Sequence, residues 1–369
     1  YKMNIPDGRM FAANVVFQCS ILAFLLNIIC MPYNAIIIAF ERMKAFAYIT
    51  MFDAVVKLII SYLLFLIASD RLIWYAFLLL GLAISERSVY SIYCKRHFPE
   101  VSEFHLVKEK QAYVNQISFA GYTFLGSFAA ILSNHGVNIV LNLFGGVAIN
   151  AARALSMQVL HAVSKFVSDF TVSLNPQITK TYAAGDLDES MSLVYKGAKF
   201  SYYLMLLFSL PIIILTPEIL NLWLGEYPEY TVAFIRLTLV YGIITSLSKT
   251  LTTEILATGE IKTNALIIGG LRIFILPLSF VVLWLGYNPC SVYYVMIVID
   301  TISIFTRLVV LRNITGVRII NYVKNVLFYI IPVSILAILL NFSLKFVMLD
   351  SMIYNIIYVI GSLLISSAI

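Results

Sequence analysis

The chain is short of charge. Asp, Glu, Lys and Arg make up 12% of its 369 residues, where a soluble domain carries about 25%, so a water-soluble fold is excluded. Cysteine is scarce as well. Cys19, Cys30, Cys94 and Cys290 have no CxxC spacing, which indicates neither a disulfide framework nor a zinc site. The histidines His97, His105, His135 and His161 form no metal-ligand cluster. P-loop, glycine-rich phosphate cradle and Ser-His-Asp order are all missing, so an ATP-driven pump is not supported and no cofactor is called for. The segments between apolar runs are too short to fold in water. A glycan polymerase of the membrane would need a large outer loop carrying acidic catalytic residues, and no segment supplies one.

What the chain has is apolar sequence: 61% of residues and a mean hydropathy of +0.93. A hydrocarbon core of about 30 Å is crossed by roughly 20 apolar residues as a helix. Such runs are expected near 11–38, 45–68, 72–93, 115–133, 137–174, 200–222, 232–256, 263–285, 290–311, 325–343 and 352–369. The run 137–174 is too long for one simple span and must tilt, kink or project. Basic residues set the orientation, because Lys and Arg stay on the cytoplasmic side. Arg42, Lys44, Lys95, Arg96, Lys180, Lys196, Lys199, Lys262, Arg312 and Lys324 fall in alternate loops, which puts Tyr1 outside. This bias accounts for the net charge of +6, and no nucleic-acid partner is needed.

Three helices and their loops occur twice, 218 positions apart. Ala39, Lys44, Ala47 and Ile49 align with Ala257, Lys262, Ala265 and Ile267; Leu58, Ser61, Tyr75, Ile84 and Ser85 align with Leu276, Ser279, Tyr293, Ile302 and Ser303. An even number of spans separates the copies, so both face the same way about an axis along the membrane normal, the plan of many transporters. The expected fold is an all-α polytopic membrane protein of two six-helix lobes around a central cavity. Residues 1–112 are a partial first lobe with a cytoplasmic linker, 113–311 the second lobe, and 312–369 an added helix pair. On this plan the first three helices, on the order of a hundred residues, precede Tyr1.

Ionisable residues inside spans cost about 2.5–3.5 kcal/mol on insertion scales and tend to face a cavity or a partner. Asp53 with Lys57, and Lys165 with Asp169, are spaced i, i+4 and share a helix face. Each is either a structural pair or an ion-coupling or gating site. Arg153 has no acidic residue within a turn, so its charge calls for water or an anion, and a guanidinium fork fits phosphate. Asn150, Asn115 and Gln116 could join it as donors, with Lys249 and Arg272 as further cavity cations. Asp300 is a lone carboxylate, open to proton coupling or to a cation on another helix. Arg87, Arg236 and Arg307 read as snorkelling anchors.

The stretch Asn175-Pro176-Gln177-Ile178-Thr179-Lys180, followed by Tyr182 and Gly185-Asp186, resembles the polysaccharide-transporter branch of the multidrug/oligosaccharidyl-lipid/polysaccharide exporter superfamily. Leu143-Phe144-Gly145, Asn150-Ala151-Ala152-Arg153, Gly197, Trp223-Leu224-Gly225 and Ala257-Thr258-Gly259 support it. Pro176 is expected to end the long helix. The resemblance, to Wzx-type flippases of O-antigen and capsule repeat units, implies a non-enzymatic carrier in a bacterial cytoplasmic membrane. Its substrate would be an undecaprenyl-pyrophosphate-linked oligosaccharide turned outward by alternating access, and Arg153 is the position best placed to receive the pyrophosphate. Membrane lipids, a glycan polymerase and a chain-length regulator are the further partners it suggests. A cation-coupled multidrug antiporter of the same fold is the alternative.

Overall fold

The computed structural model describes residues 10–67, 70–102 and 110–347; the expected span at 352–369 lies outside them. Every regular element among the described residues is helical, and nine segments are long and apolar enough to cross a membrane. Contacts divide the chain near residue 108 into two units.

The first unit consists of α1 (Met10–Ala39), α2 (Met43–Leu66), α3 (Arg71–His97) and the single turn α4 (Pro99–Ser102). Cys30, Ile37, Ile49, Tyr90 and Cys94 form its core. Asp70 caps α3 by accepting from the Leu72 amide at 3.1 Å, which satisfies one of the orphan donors of a helix start. Phe65 and Leu58, 79% and 73% exposed, present a surface that hydrocarbon accepts and water would not.

The second unit opens with α5 (Lys110–Ala183), which is two helices joined at Gly146. There φ is 72° and ψ −170°, a region open in practice only to glycine. The chain folds back at this residue. In a straight helix, Asn138 and Arg153 would stand about 22 Å apart at 1.5 Å per residue, yet the Arg153 Nε donates to the Asn138 Oδ1. Residues 110–145 and 147–183 are therefore the antiparallel arms of a hairpin. The sequence placed this boundary at 134–136, where Asn134 and His135 interrupt the apolar run; those residues lie inside the first arm. Pro176 does not end the second arm either. Loss of one ladder hydrogen bond is tolerated in membrane helices, and the arm runs on to Ala183, stopping before Gly185 at φ 84°. Asp186 then caps α6 (Leu187–Ile214) by accepting from the Glu189 amide at 3.0 Å.

After α7 (Thr216–Trp223), two spans are each broken in the middle. α8 (Thr231–Ser246) and α9 (Lys249–Ala257) meet at Leu247-Ser248, and α10 (Ile261–Ile273) and α11 (Ile275–Trp284) meet at Phe274. Breaks free carbonyls that hydrocarbon cannot solvate. The Tyr322 hydroxyl donates to the Leu247 carbonyl at 3.0 Å, and the Ser133 hydroxyl reaches the Arg272 carbonyl at 2.7 Å. α12 (Ser291–Thr315) is continuous. α13 (Ile319–Tyr322), a π-helical turn (Val323–Leu327) and α14 (Phe328–Val347) follow, with Tyr202 of α6 and Ser334 of α14 hydrogen-bonded at 2.7 Å.

The sequence repeat has a structural counterpart in each unit. α1, α2 and α3 end at Ala39, Leu66 and His97; α9, α11 and α12 end at Ala257, Trp284 and Thr315, each 218 positions later.

Candidate functional site

The arms of α5 enclose a cleft of about 490 Å³ near their joined end. Asn134, His135 and Asn138 line it from the first arm; Asn150, Arg153, Met157 and His161 line it from the second. No carboxylate is among the lining residues. Arg153 is 1% exposed, and its neighbours are neutral. Beyond the Asn138 carboxamide, one terminal nitrogen lies 3.9 Å from the Met296 sulfur, and the guanidinium sits over the Tyr293 ring at 5.5 Å from its centre, within cation–π range. Tyr293 is itself fixed, its hydroxyl 2.9 Å from Ser156 Oγ, and Thr238 donates to the same oxygen at 3.2 Å. Arg153 is thus oriented by α5 and α12, and among the described residues no carboxylate forms an ion pair with it.

One turn along α12 from Met296 is Asp300, 2% exposed. Arg272 approaches its Oδ1 through Nε at 3.0 Å and Nη2 at 2.9 Å, and the Tyr241 hydroxyl donates to Oδ2 at 2.6 Å. Arg272 therefore is not a free cavity cation: it has a carboxylate partner 28 residues away, invisible to a search of its own helix. Further along the stripe, Arg307 donates to Ser303 Oγ at 3.0 Å. At 5% exposure it is buried, not the snorkelling anchor its sequence position suggested. Arg236 donates to the Ile213 carbonyl at 2.9 Å, and Arg87 stacks on Tyr33 at 4.4 Å.

The remaining sequence candidates fall elsewhere. Gln116 is exposed and lies 22 residues before Asn138 on one continuous arm, about 33 Å by helical rise; the hairpin does not bring it to Arg153. The side chain of Asn115 lies outside the described residues. Lys249 is half-buried and interacts electrostatically with Asp169, sixteen residues beyond Arg153. Asp169 also receives Lys165 at 2.7 Å, and Asp53 receives Lys57 at 2.8 Å; both pairs stand at least partly open to solvent or lipid.

Sequence reasoning missed Asn134, His135, Asn138 and His161 as lining residues. The signal was present as polar interruption of an apolar run, but it reads equally as a loop. The sequence places Glu254 among the ionisable residues inside spans without assigning it a role; it is fully buried on α9.

No family model matches the chain, and no curated protein does. Among solved structures, a crystal structure of MATE in the bent conformation is similar at a TM-score of 0.65 and 12% identity, over 83% of this chain and 69% of that one. At that identity the likeness concerns the fold, and the chain is an all-α, multi-pass membrane protein with MATE-like architecture.

Proposed function

We propose that the protein is a transporter that passes an undecaprenyl-pyrophosphate-linked oligosaccharide across a bacterial cytoplasmic membrane by alternating access, for surface-polysaccharide assembly. The observation that carries the proposal is Arg153: buried, held by neutral groups, and facing a cleft lined by carboxamides and imidazoles. A buried charge without a counter-ion is costly, and an anionic headgroup entering the cleft supplies one. The guanidinium offers a directional fork to a phosphate oxygen pair, while Asn134, Asn138 and Asn150 offer donors and acceptors suited to sugar hydroxyls. The polyprenyl tail stays in lipid, and no bond is made or broken.

The MATE-like fold supports an export role of some kind, and its rival reading is an antiporter for cationic drugs. A cationic cleft disfavours that cargo. Proteoliposomes loaded with fluorescent lipid-linked glycan separate the two. Wild-type protein exposes the glycan to an outside quencher, and Arg153→Ala slows this at least about tenfold, the loss of one charge-assisted contact of about 1.5–3 kcal/mol. Equal flipping by the variant removes Arg153 from the mechanism. Efflux of a cationic dye, with no glycan movement, replaces the proposal by its rival.

A further inference from the structure

We propose that Glu254 is a proton-binding site, occupied in this arrangement, and that its proton fastens the half-helix α9 to α6 and α5. The proposal stands apart from the identity of the cargo.

Glu254 is 0% exposed. Its Oε2 lies 2.7 Å from Ser190 Oγ, and its Oε1 has no hydrogen-bond partner. Its helix neighbours Leu251 and Ile255 belong to one buried apolar cluster with Ile178, Met191 and Val194. Two other carboxylates of the second unit each meet a cation: Asp300 meets Arg272 and Asp169 meets Lys165. Glu254 meets none. On its own helix, Lys249 interacts with Asp169. From α6, the ionisable group in range is Tyr195, which is not a cation. α12 contributes Arg307, which turns to Ser303, α13 contributes Tyr322, committed to the Leu247 carbonyl, and α5 contributes Lys180, which is exposed.

Ser190 decides the protonation. It has one hydroxyl proton and two acceptors in reach, the Glu254 carboxyl and the Ile178 carbonyl at 3.3 Å. A protonated carboxyl lets both hydroxyls donate in series, Glu254 to Ser190 Oγ and Ser190 to the Ile178 carbonyl of α5, and leaves Oε1 unpartnered only as a neutral carbonyl oxygen. An ionised carboxylate would instead place a charged, unsolvated Oε1 in an apolar pocket, where an isolated ion neutralises in preference to remaining charged.

The same half-helix is held by Thr250, which donates to the Val194 carbonyl at 3.1 Å, and by Thr253, which donates to Asn175 Oδ1 at 2.7 Å. Separated from α8 at Leu247-Ser248, α9 has a joint of its own, and departure of the proton turns the single Ser190 hydroxyl to the carboxylate, which breaks the series at the Ile178 carbonyl of α5 and leaves a charged Oε1 unsolvated at the α9–α6 contact.

Infrared difference spectroscopy on the full chain in detergent tests the site. The wild-type minus E254Q spectrum at neutral pH contains a free-acid carbonyl stretch above the amide band, and in Ser190→Ala that stretch moves to higher frequency because its acceptor is gone. If the difference spectrum shows only an ionised-carboxylate stretch, the proposal fails. The fastening is read by hydrogen exchange. Amides of α9 exchange about threefold to tenfold faster in Ser190→Ala, the net worth of one hydrogen bond, and unchanged exchange overturns that half. Should E254Q not fold, the frequency shift in Ser190→Ala carries the test alone.

Discussion

Arg153 and Arg272 lie one helical turn apart where they meet α12, yet they are electrostatic opposites. Arg272 is answered by Asp300, while Arg153 is held by a carboxamide, a thioether and a phenol ring. Removal of the Asp300 charge has consequences that removal of an exposed one does not. Asp300→Asn leaves the Arg272 guanidinium uncompensated, at a cost of about 3–5 kcal/mol. Asp169→Asn breaks a pair whose side chains are 60% and 46% exposed and costs less than about 1 kcal/mol. Thermal unfolding of the two variants in the same detergent separates these outcomes, and similar midpoints would contradict the assignment. Arg153→Lys keeps the charge but forfeits the planar face over Tyr293 and the Nε contact to Asn138. Since the two cations are not interchangeable at stacked sites, the proposed function has the glycan-flipping rate of this variant fall toward that of Arg153→Ala.

At the scale of elements, the hairpin of α5 depends on Gly146. Any residue with a Cβ meets strain at φ 72° and ψ −170°, so Gly146→Ala costs about 1–3 kcal/mol. The accompanying loss of register between the arms is read as loss of a cysteine cross-link engineered between positions 134 and 157, which line the cleft from opposite arms. A close approach elsewhere is equally dependent on a missing side chain: a Cβ on Gly197 would run into Leu174 and Thr250, so Gly197→Ala is expected to cost about 1–3 kcal/mol by overpacking, measured by the same melt.

The elements also show where sequence reasoning succeeds. The run expected at 200–222 is α6, Leu187–Ile214, so not every helix end was legible, but the number of spans among the described residues and the local pairs Asp53–Lys57 and Lys165–Asp169 were, because each depends on residues within a turn or a span of one another. The turn of the hairpin was not. Asn134, His135 and Asn138 break the apolar run as a loop would, and hydropathy cannot tell a loop from the wall of a polar cleft. Arg272–Asp300 and Glu254–Ser190 join residues 28 and 64 positions apart, and no local pattern reports such contacts. Pro176 misled for a related reason, since its effect is set by what surrounds a helix in lipid and not by the residue alone.

At the scale of the whole chain, the two copies of the repeat share helix ends but not chemistry. Asp300, Arg272 and Glu254 occupy positions equivalent to Leu82, Ala54 and Ile36, and the second copies of two helices are broken where the first are continuous. Tyr75 and Tyr293 are equivalent and identical. Tyr293 is fully buried and bonded to Ser156, whereas Tyr75 is 42% exposed. Tyr293→Phe should therefore lower stability by about 1 kcal/mol while Tyr75→Phe leaves the melting midpoint in place; equal effects would show that the copies are used alike.

Gly146 also makes the two arms of α5 a lever. Arg153 is 7 residues from that fulcrum and Lys180 is 34, so for stiff arms pivoting there, a displacement at Arg153 is magnified about fivefold at Lys180, helical rise being uniform. A sub-ångström adjustment at Arg153 becomes a swing of several ångströms at the far tip, so that movement at one end of the arm is announced at the other without a second moving part.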